Sequence, residues 1–212
     1  MIARRAEEIA PFIVMDVLER AREMERQGID VIHLEVGEPD FHIPPAVKDA
    51  TCQALEAGLT HYTHSLGDLE LREAICDHYL QTYAVSVKPE RIVVTSGTSP
   101  AMMLVFAALL ERGQEVILSD PGYACYPNFI KFLGGIPARV PVYEKDGFQL
   151  RAEEISKRIS RKTKAVLINS PSNPTGCLLS ESTMRSIAQL SPYIISDEIY
   201  HGLVYEGKEH SI

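Results

Sequence analysis

The stretch KAVLINSPSNPTG, Lys164 to Gly176, joins an unbroken apolar run to a loop of Ser, Pro, Asn and Gly. Strict alternation of apolar and polar residues would mark a strand with one wet face. A continuous run marks a strand buried on both faces, as in parallel sheets. The same texture recurs on either side. RIVVT (91–95), EVILS (115–119), IPARVPV (136–142) and YIIS (193–196) read as further strands, with helices near 99–111, 124–133, 151–159 and 180–190 between them. Strand and helix in alternation predict an α/β domain with a mainly parallel sheet and right-handed crossovers. Ligands of such sheets sit beyond the carboxyl ends of the strands, so the loops after each strand are where chemistry should lie.

Upstream, Val14, Val17, Leu18, Ala21 and Met24 share one face of a helix over 15–27, ended by Gly28. VIHLEVGEPDF (31–41) reads as a short strand followed by a Gly/Pro turn. PPAVKDATCQALEAG (44–58) opens on proline and closes on glycine, the usual helix punctuation, and GDLELREAICDHYLQTY (67–83) reads as another helix.

The bulk properties narrow the function classes. The chain has 212 residues, 45% of them hydrophobic and 24% charged, which is globular composition. A net charge of -8 argues against a general nucleic-acid or anionic-membrane binder. MIARRAEEIAPF lacks the apolar core of a signal peptide, its RRAEE reads as a solvated start, and AMMLVFAALL (101–110) is too short to span a bilayer. A cytoplasmic protein is expected. Cys52, Cys76, Cys125 and Cys177 are scattered with no CxxC pair, so reduced structural thiols are expected. His61, His64, His201 and His210 have no thiol or acidic partner at ligand spacing, and no metal site is expected.

Four loops after strands carry candidate site residues. After RIVVT, SGTSPA places Gly97, Thr98 and Ser99 at a helix N-terminus, where free N–H groups and the helix dipole favour a phosphate. A plain Ser/Thr cap is the ordinary alternative. After EVILS, Tyr123 follows a Pro-Gly turn and can offer its ring face, or be a simple core tyrosine. After KAVLINS, Asn173 precedes Pro174 and is pushed out of the helical region, leaving its amide for a ligand or a turn. After YIIS, Asp197 and Tyr200 can face the same crevice, or Asp197 can cap a helix. Taken together the four loops ask for a ligand with a phosphate, a flat ring, a ring oxygen that accepts hydrogen bonds and a ring nitrogen that wants a carboxylate. Pyridoxal 5'-phosphate has all four.

The motifs VGEPDF, HYTHSLGDLELREAI, TSGTSPAM, DPGYACY, NSPSNPTG and SDEIYHGLVYEG, in this order along nearly the whole chain, resemble the class I, fold type I aminotransferases of the aspartate-aminotransferase-like family. The resemblance implies a three-layer α/β/α large domain. It assigns residues 1–44 to an N-terminal arm and part of a small domain, and residues 45–212 to the N-terminal part of the large, cofactor-binding domain. It matches Asp197 to the carboxylate that pairs with the pyridine nitrogen, and Asn173 and Tyr200 to the groups that bond the ring oxygen. Tyr123 matches the stacking aromatic, and Gly97, Thr98 and Ser99 the phosphate loop. Tyr62 matches a tyrosine that reaches the phosphate of a neighbouring subunit in a homodimer. Gly37 matches a mobile segment that closes over the substrate carboxylate. The implied reaction moves an amino group between an amino acid and a 2-oxo acid. A C–S lyase, decarboxylase or synthase would share the fold, and a non-catalytic, partner-dependent fragment is the reading of a different class.

The same resemblance places the Schiff-base lysine, the catalytic base, beyond Ile212, together with a phosphate arginine and a substrate arginine. Lys208, in a turn, is a solvated lysine. The large domain is expected to be truncated before its last two strands, which the family inserts between YIIS and RIVVT. The isolated 212 residues are therefore expected to be inactive alone, with RIVVT short of a neighbour and YIIS at an apolar edge. The link in RSIAQLSPYIISDE reads as trimmed by about one helical turn.

Overall fold

The computed structural model describes residues 2–3, 6–7, 9–39, 41–190 and 193–212. The expected trimmed link at Ser191 and Pro192, Arg4, Arg5 and Glu8 of the RRAEE start, and Asp40 of VGEPDF lie outside the described residues.

The chain packs as two compact units, one of residues 12–94 and one of residues 1–11 with 95–212. Among the described residues the second holds four strands, β1 (Glu115–Asp120), β2 (Ile136–Pro141), β3 (Thr163–Asn169) and β4 (Ile194–Asp197), all parallel in the order β2-β1-β3-β4. Its helices are α4 (Thr98–Leu109), α5 (Tyr126–Phe132), α6 (Ala152–Ser156) and α7 (Glu181–Ala188). Successive strand residues point to opposite faces, and both faces are covered. Val116, Leu118, Ala165 and Leu167 pack with Met102 and Phe106 of α4 and Tyr126 and Ile130 of α5. Ile117, Val140, Val166 and Ile168 pack with Ile155 of α6 and Met184 and Ile187 of α7. This is the expected three-layer α/β/α arrangement, and it explains why the central strands β1 and β3 read as continuous apolar runs.

The strand order contains a reversal. From β1 the chain moves outward to β2, then returns past β1 to β3 and on to β4. The loops that leave β1 and β3 therefore lead to helices on opposite faces, opening a crevice at the carboxyl ends of these two strands. Helix starts are specified locally. Pro127 opens the first turn of α5, and the Ser180 hydroxyl caps α7 by accepting from the Thr183 N–H at 3.2 Å.

The unit 12–94 holds α1 (Ile13–Arg26), α2 (Pro45–Glu56), α3 (Leu69–Tyr83) and a 3-10 turn at Pro89–Arg91. Asp68 caps α3 through its carboxylate, which accepts from the Glu70 N–H at 2.9 Å. Arg72 is buried and staples two loops, its Nε donating to the Gly67 carbonyl at 3.1 Å and its Nη1 to that of Pro89 at 2.9 Å. That geometry satisfies the buried guanidinium with backbone acceptors instead of a carboxylate.

Two expected strands are absent among the described residues. VIHLEV forms no ladder, and Leu34 is 90% exposed. RIVVT runs extended after Arg91 but joins no sheet; its Val94 N–H donates to the Leu66 carbonyl at 2.9 Å. An apolar run supplies the propensity for a strand, but only a paired backbone makes one.

Candidate active site

Asp197 is the last residue of β4, in register with Asn169 at the end of β3. It is 7% exposed. Its Oδ2 accepts from the Tyr126 hydroxyl at 2.7 Å and its Oδ1 from the Ile199 N–H at 3.2 Å. The main chain is held as firmly, because the Asp197 carbonyl accepts from Asn169 Nδ2 at 2.9 Å and from the Ser170 N–H at 3.3 Å. None of the ion pairs among the described residues includes it. A carboxylate offers about four lone-pair sites, so two neutral donors leave capacity for a cationic N–H. A buried carboxylate is stabilised most by such a partner.

Tyr126 and Tyr123 stand edge to face, with ring centroids 5.1 Å apart and planes at 76°. Burial, and then the hydrogen bond to Asp197, push the Tyr126 phenol well above its ordinary pKa. Tyr123 is pushed up to about 12, by burial first, then by its hydrogen bond with Cys125 and the nearby Tyr200 and Asp197. Both phenols therefore stay protonated donors across the physiological range.

In the loops that follow β3 and β4, Asn173 Nδ2 donates to the Tyr200 hydroxyl oxygen at 3.1 Å. Asn173 is placed by its own loop: its N–H donates to Asn169 Oδ1 at 2.7 Å, and the Gly176 N–H closes the turn on the Ser172 carbonyl at 2.7 Å. Tyr200 sits in a turn closed by the His201 N–H on the Glu198 carbonyl at 3.0 Å. The second amide hydrogen of Asn173 and the phenolic proton of Tyr200 remain as two donors that can converge on one anionic oxygen.

Gly97, Thr98 and Ser99 head α4 and are exposed. Gly97 takes φ +121°, a conformation that only glycine adopts without strain, and no side chain caps this helix. The first-turn N–H groups and the helix dipole thus face outward at a 12-residue helix. The same helix contributes Met102 and Phe106 to the core cluster that holds Tyr126. Tyr62 and Gly37 belong to the unit 12–94, where Tyr62 is fully exposed and Gly37 has open space around it. Hydrogen bonds and ring contacts thus tie Tyr123, Asn173, Asp197 and Tyr200 together through Tyr126 and Asn169.

Tyr126, Asn169 and Ser170 were not singled out from the sequence. Tyr126 meets Asp197 across 71 positions, and no local pattern signals that pairing. The i, i+3 spacing of Tyr123 and Tyr126 at the start of a helix was the available hint.

The aminotransferase class I and II family profile matches residues 29–211. The chain is 42% identical over 211 residues to a (5-formylfuran-3-yl)methyl phosphate transaminase of Methanocaldococcus jannaschii, covering 100% of this chain and 55% of that protein. It is 40% identical over 208 residues to a probable aspartate/prephenate aminotransferase of Aquifex aeolicus, covering 96% and 53%. Among solved structures, the aspartate aminotransferase from Thermus thermophilus with maleate superposes with a TM-score of 0.96 at 37% identity, over 100% of this chain and 56% of that one. The architecture is that of the large domain of fold type I aminotransferases. The chain belongs to the aminotransferase class I and II family, and it spans about half the length of the curated relatives it matches.

Proposed function

We propose that these residues form the pyridoxal 5'-phosphate-binding part of an aminotransferase that moves an amino group between an amino acid and a 2-oxo acid. The observation that carries this reading is the buried Asp197 carboxylate, held by neutral donors and flanked by the Asn173–Tyr200 pair at the carboxyl ends of β3 and β4. The residues present fit the cofactor. Asp197 has acceptor capacity for a pyridinium N–H, and the opposite charge would keep that nitrogen protonated. Asn173 and Tyr200 would donate to the ring oxygen, Tyr123 would stack on the ring, and the N–H groups of the Gly97–Thr98–Ser99 turn would hold the phosphate.

When bound, the cofactor supplies an electron sink for negative charge developing at the substrate Cα. The chain's own part is to orient and to exclude. Tyr126 fixes the Asp197 carboxylate so that no reorganisation is needed when charge develops. Tyr62 of one protomer reaches the phosphate bound by its partner, in a homodimer with shared sites. Residues 1–44 act as an arm, with Gly37 closing over the substrate carboxylate, in a cytoplasmic enzyme.

The test is an assay of the full-length gene product with pyridoxal 5'-phosphate, 2-oxoglutarate and a panel of amino donors. Aspartate as donor comes first, with prephenate tried as an alternative oxo-acid acceptor, following the names of the relatives. Transfer of the amine to an oxo acid supports the reading. Cofactor-dependent elimination or decarboxylation without transfer would replace it with another fold type I reaction.

A further inference from the structure

Ser170 follows β3 directly and is 1% exposed. Its N–H continues the parallel ladder by donating to the Asp197 carbonyl at 3.3 Å. In a parallel ladder the next bond would run from the Ile199 N–H to the Ser170 carbonyl. That N–H is instead turned back onto Asp197 Oδ1. A buried carbonyl needs a donor, and His201 provides one, its Nε2 lying 3.1 Å from the Ser170 oxygen. A carbonyl only accepts, so Nε2 carries the proton. The His201 side chain is 10% exposed, and its Nδ1 lies 3.7 Å from Glu198 Oε2. Glu198 is itself held by the hydroxyls of Ser196 at 2.7 Å and Ser211 at 2.9 Å.

The two loops that carry the ring-oxygen donors are therefore joined at two adjacent points. His201 bonds to the first residue of the β3 loop, and its neighbour Tyr200 is bonded by Asn173, three residues further along that loop. The His201 bond replaces the ladder bond given up when Asp197 took the Ile199 N–H for its own orientation. Without it the β3 loop keeps its link to the Asp197 main chain but loses the tie that sets its distance from the Tyr200 turn.

We propose that His201 is a positioning residue that sets the Asn173–Tyr200 separation and, through it, the field at the ring oxygen of the cofactor. The second half of this inference rests on the cofactor reading above; the first half does not. The test uses the full-length gene product as wild type, H201F, which removes the donor, and H201Q, whose amide nitrogen can take the place of Nε2. Crystal structures without cofactor give the Asn173 Nδ2 to Tyr200 Oη distance. A pH titration of the visible absorption band with pyridoxal 5'-phosphate bound reports the field at the ring oxygen.

H201F is expected to open the pair beyond hydrogen-bond distance and to shift the band's midpoint by about one pH unit, with H201Q restoring both. A merely structural role would lower the melting temperature and leave distance and midpoint in place, and that result overturns the proposal. So does a failure of H201Q to restore the distance that H201F loses. If H201F does not fold, H201M serves as the variant without a donor and is judged by the same distance. A wild-type protein with no visible band overturns the cofactor reading, while the distance still decides the positioning role.

Discussion

The Tyr126 hydroxyl donates to Asp197 Oδ2 at 2.7 Å, joining the first turn of α5 to the last residue of β4. The bond fixes the orientation of the carboxylate and compensates part of its burial. Removing the donor should therefore weaken both the fold and the ligand site. Y126F is expected to lose about 1–3 kcal/mol of stability, the cost of leaving a buried charged acceptor short of one bond. It should also weaken binding of pyridoxamine 5'-phosphate on the order of 10-fold. Denaturant melts and calorimetric titration check the two effects.

The raised phenols set a limit at alkaline pH. Tyr123 and Tyr126 titrate above the ordinary 10.0 in the fold, Tyr123 at about 12. A group whose folded pKa lies above its unfolded value contributes stability that is whole below the unfolded pKa and is lost as pH rises through the folded one. Wild-type stability should fall from pH 10 upward, and Y126F should fall less steeply. Melting temperatures between pH 8 and 11.5 measure this.

In the unit 12–94, His33 bridges two carboxylates, Nδ1 to Glu35 Oε1 at 2.6 Å and Nε2 to Glu25 Oε1 at 3.0 Å. Bonds to Glu35, then Glu25, raise the His33 pKa above 6.5, and the bond to His33 lowers that of Glu35 below 4.5. The His33 contribution is complete below pH 6.5 and lost as pH rises through its raised pKa. The Glu35 contribution is complete above pH 4.5 and lost as pH falls through its lowered one. The link between α1 and the segment before Gly37 is thus strongest between these limits. Histidine ring NMR should show a His33 midpoint above 6.5 that drops in E35Q.

Gly67 takes φ +99°, and a Cβ there would lie 2.6 Å from both Cβ and Cγ2 of Val94. Val94 is held by its N–H bond to the Leu66 carbonyl, so the clash has no easy relief. G67A should destabilise this unit by about 1–3 kcal/mol or more. Hydrogen exchange at Leu66, Arg72 and Val94 would report the loss locally.

The sequence made the sheet legible wherever the strands are paired on the structure's own terms. EVILS, IPARVPV, KAVLINS and the end of YIIS become β1 to β4; burial on both faces explains the continuous apolar runs of the central strands β1 and β3. RIVVT and VIHLEV carry the same composition but join no ladder, since pairing is a tertiary property. The helices fall within a few residues of their expected bounds, where caps and prolines are local signals. At the site, residue types announced donors and acceptors in each loop, and the structure joins Asn173 to Tyr200 as one pair. Tyr126, Asn169 and the His201 bond to Ser170 were not legible. They depend on which loop meets which, and the sequence offers His201 only as a candidate metal ligand.

The central claim is that Asp197 is the partner of a cationic ring nitrogen. The most direct measurement is calorimetric binding of pyridoxamine 5'-phosphate, which needs no lysine, to wild type, D197A and D197N. The account predicts binding to wild type and a loss on the order of 100-fold in both variants. Equal affinity across the three proteins would contradict it.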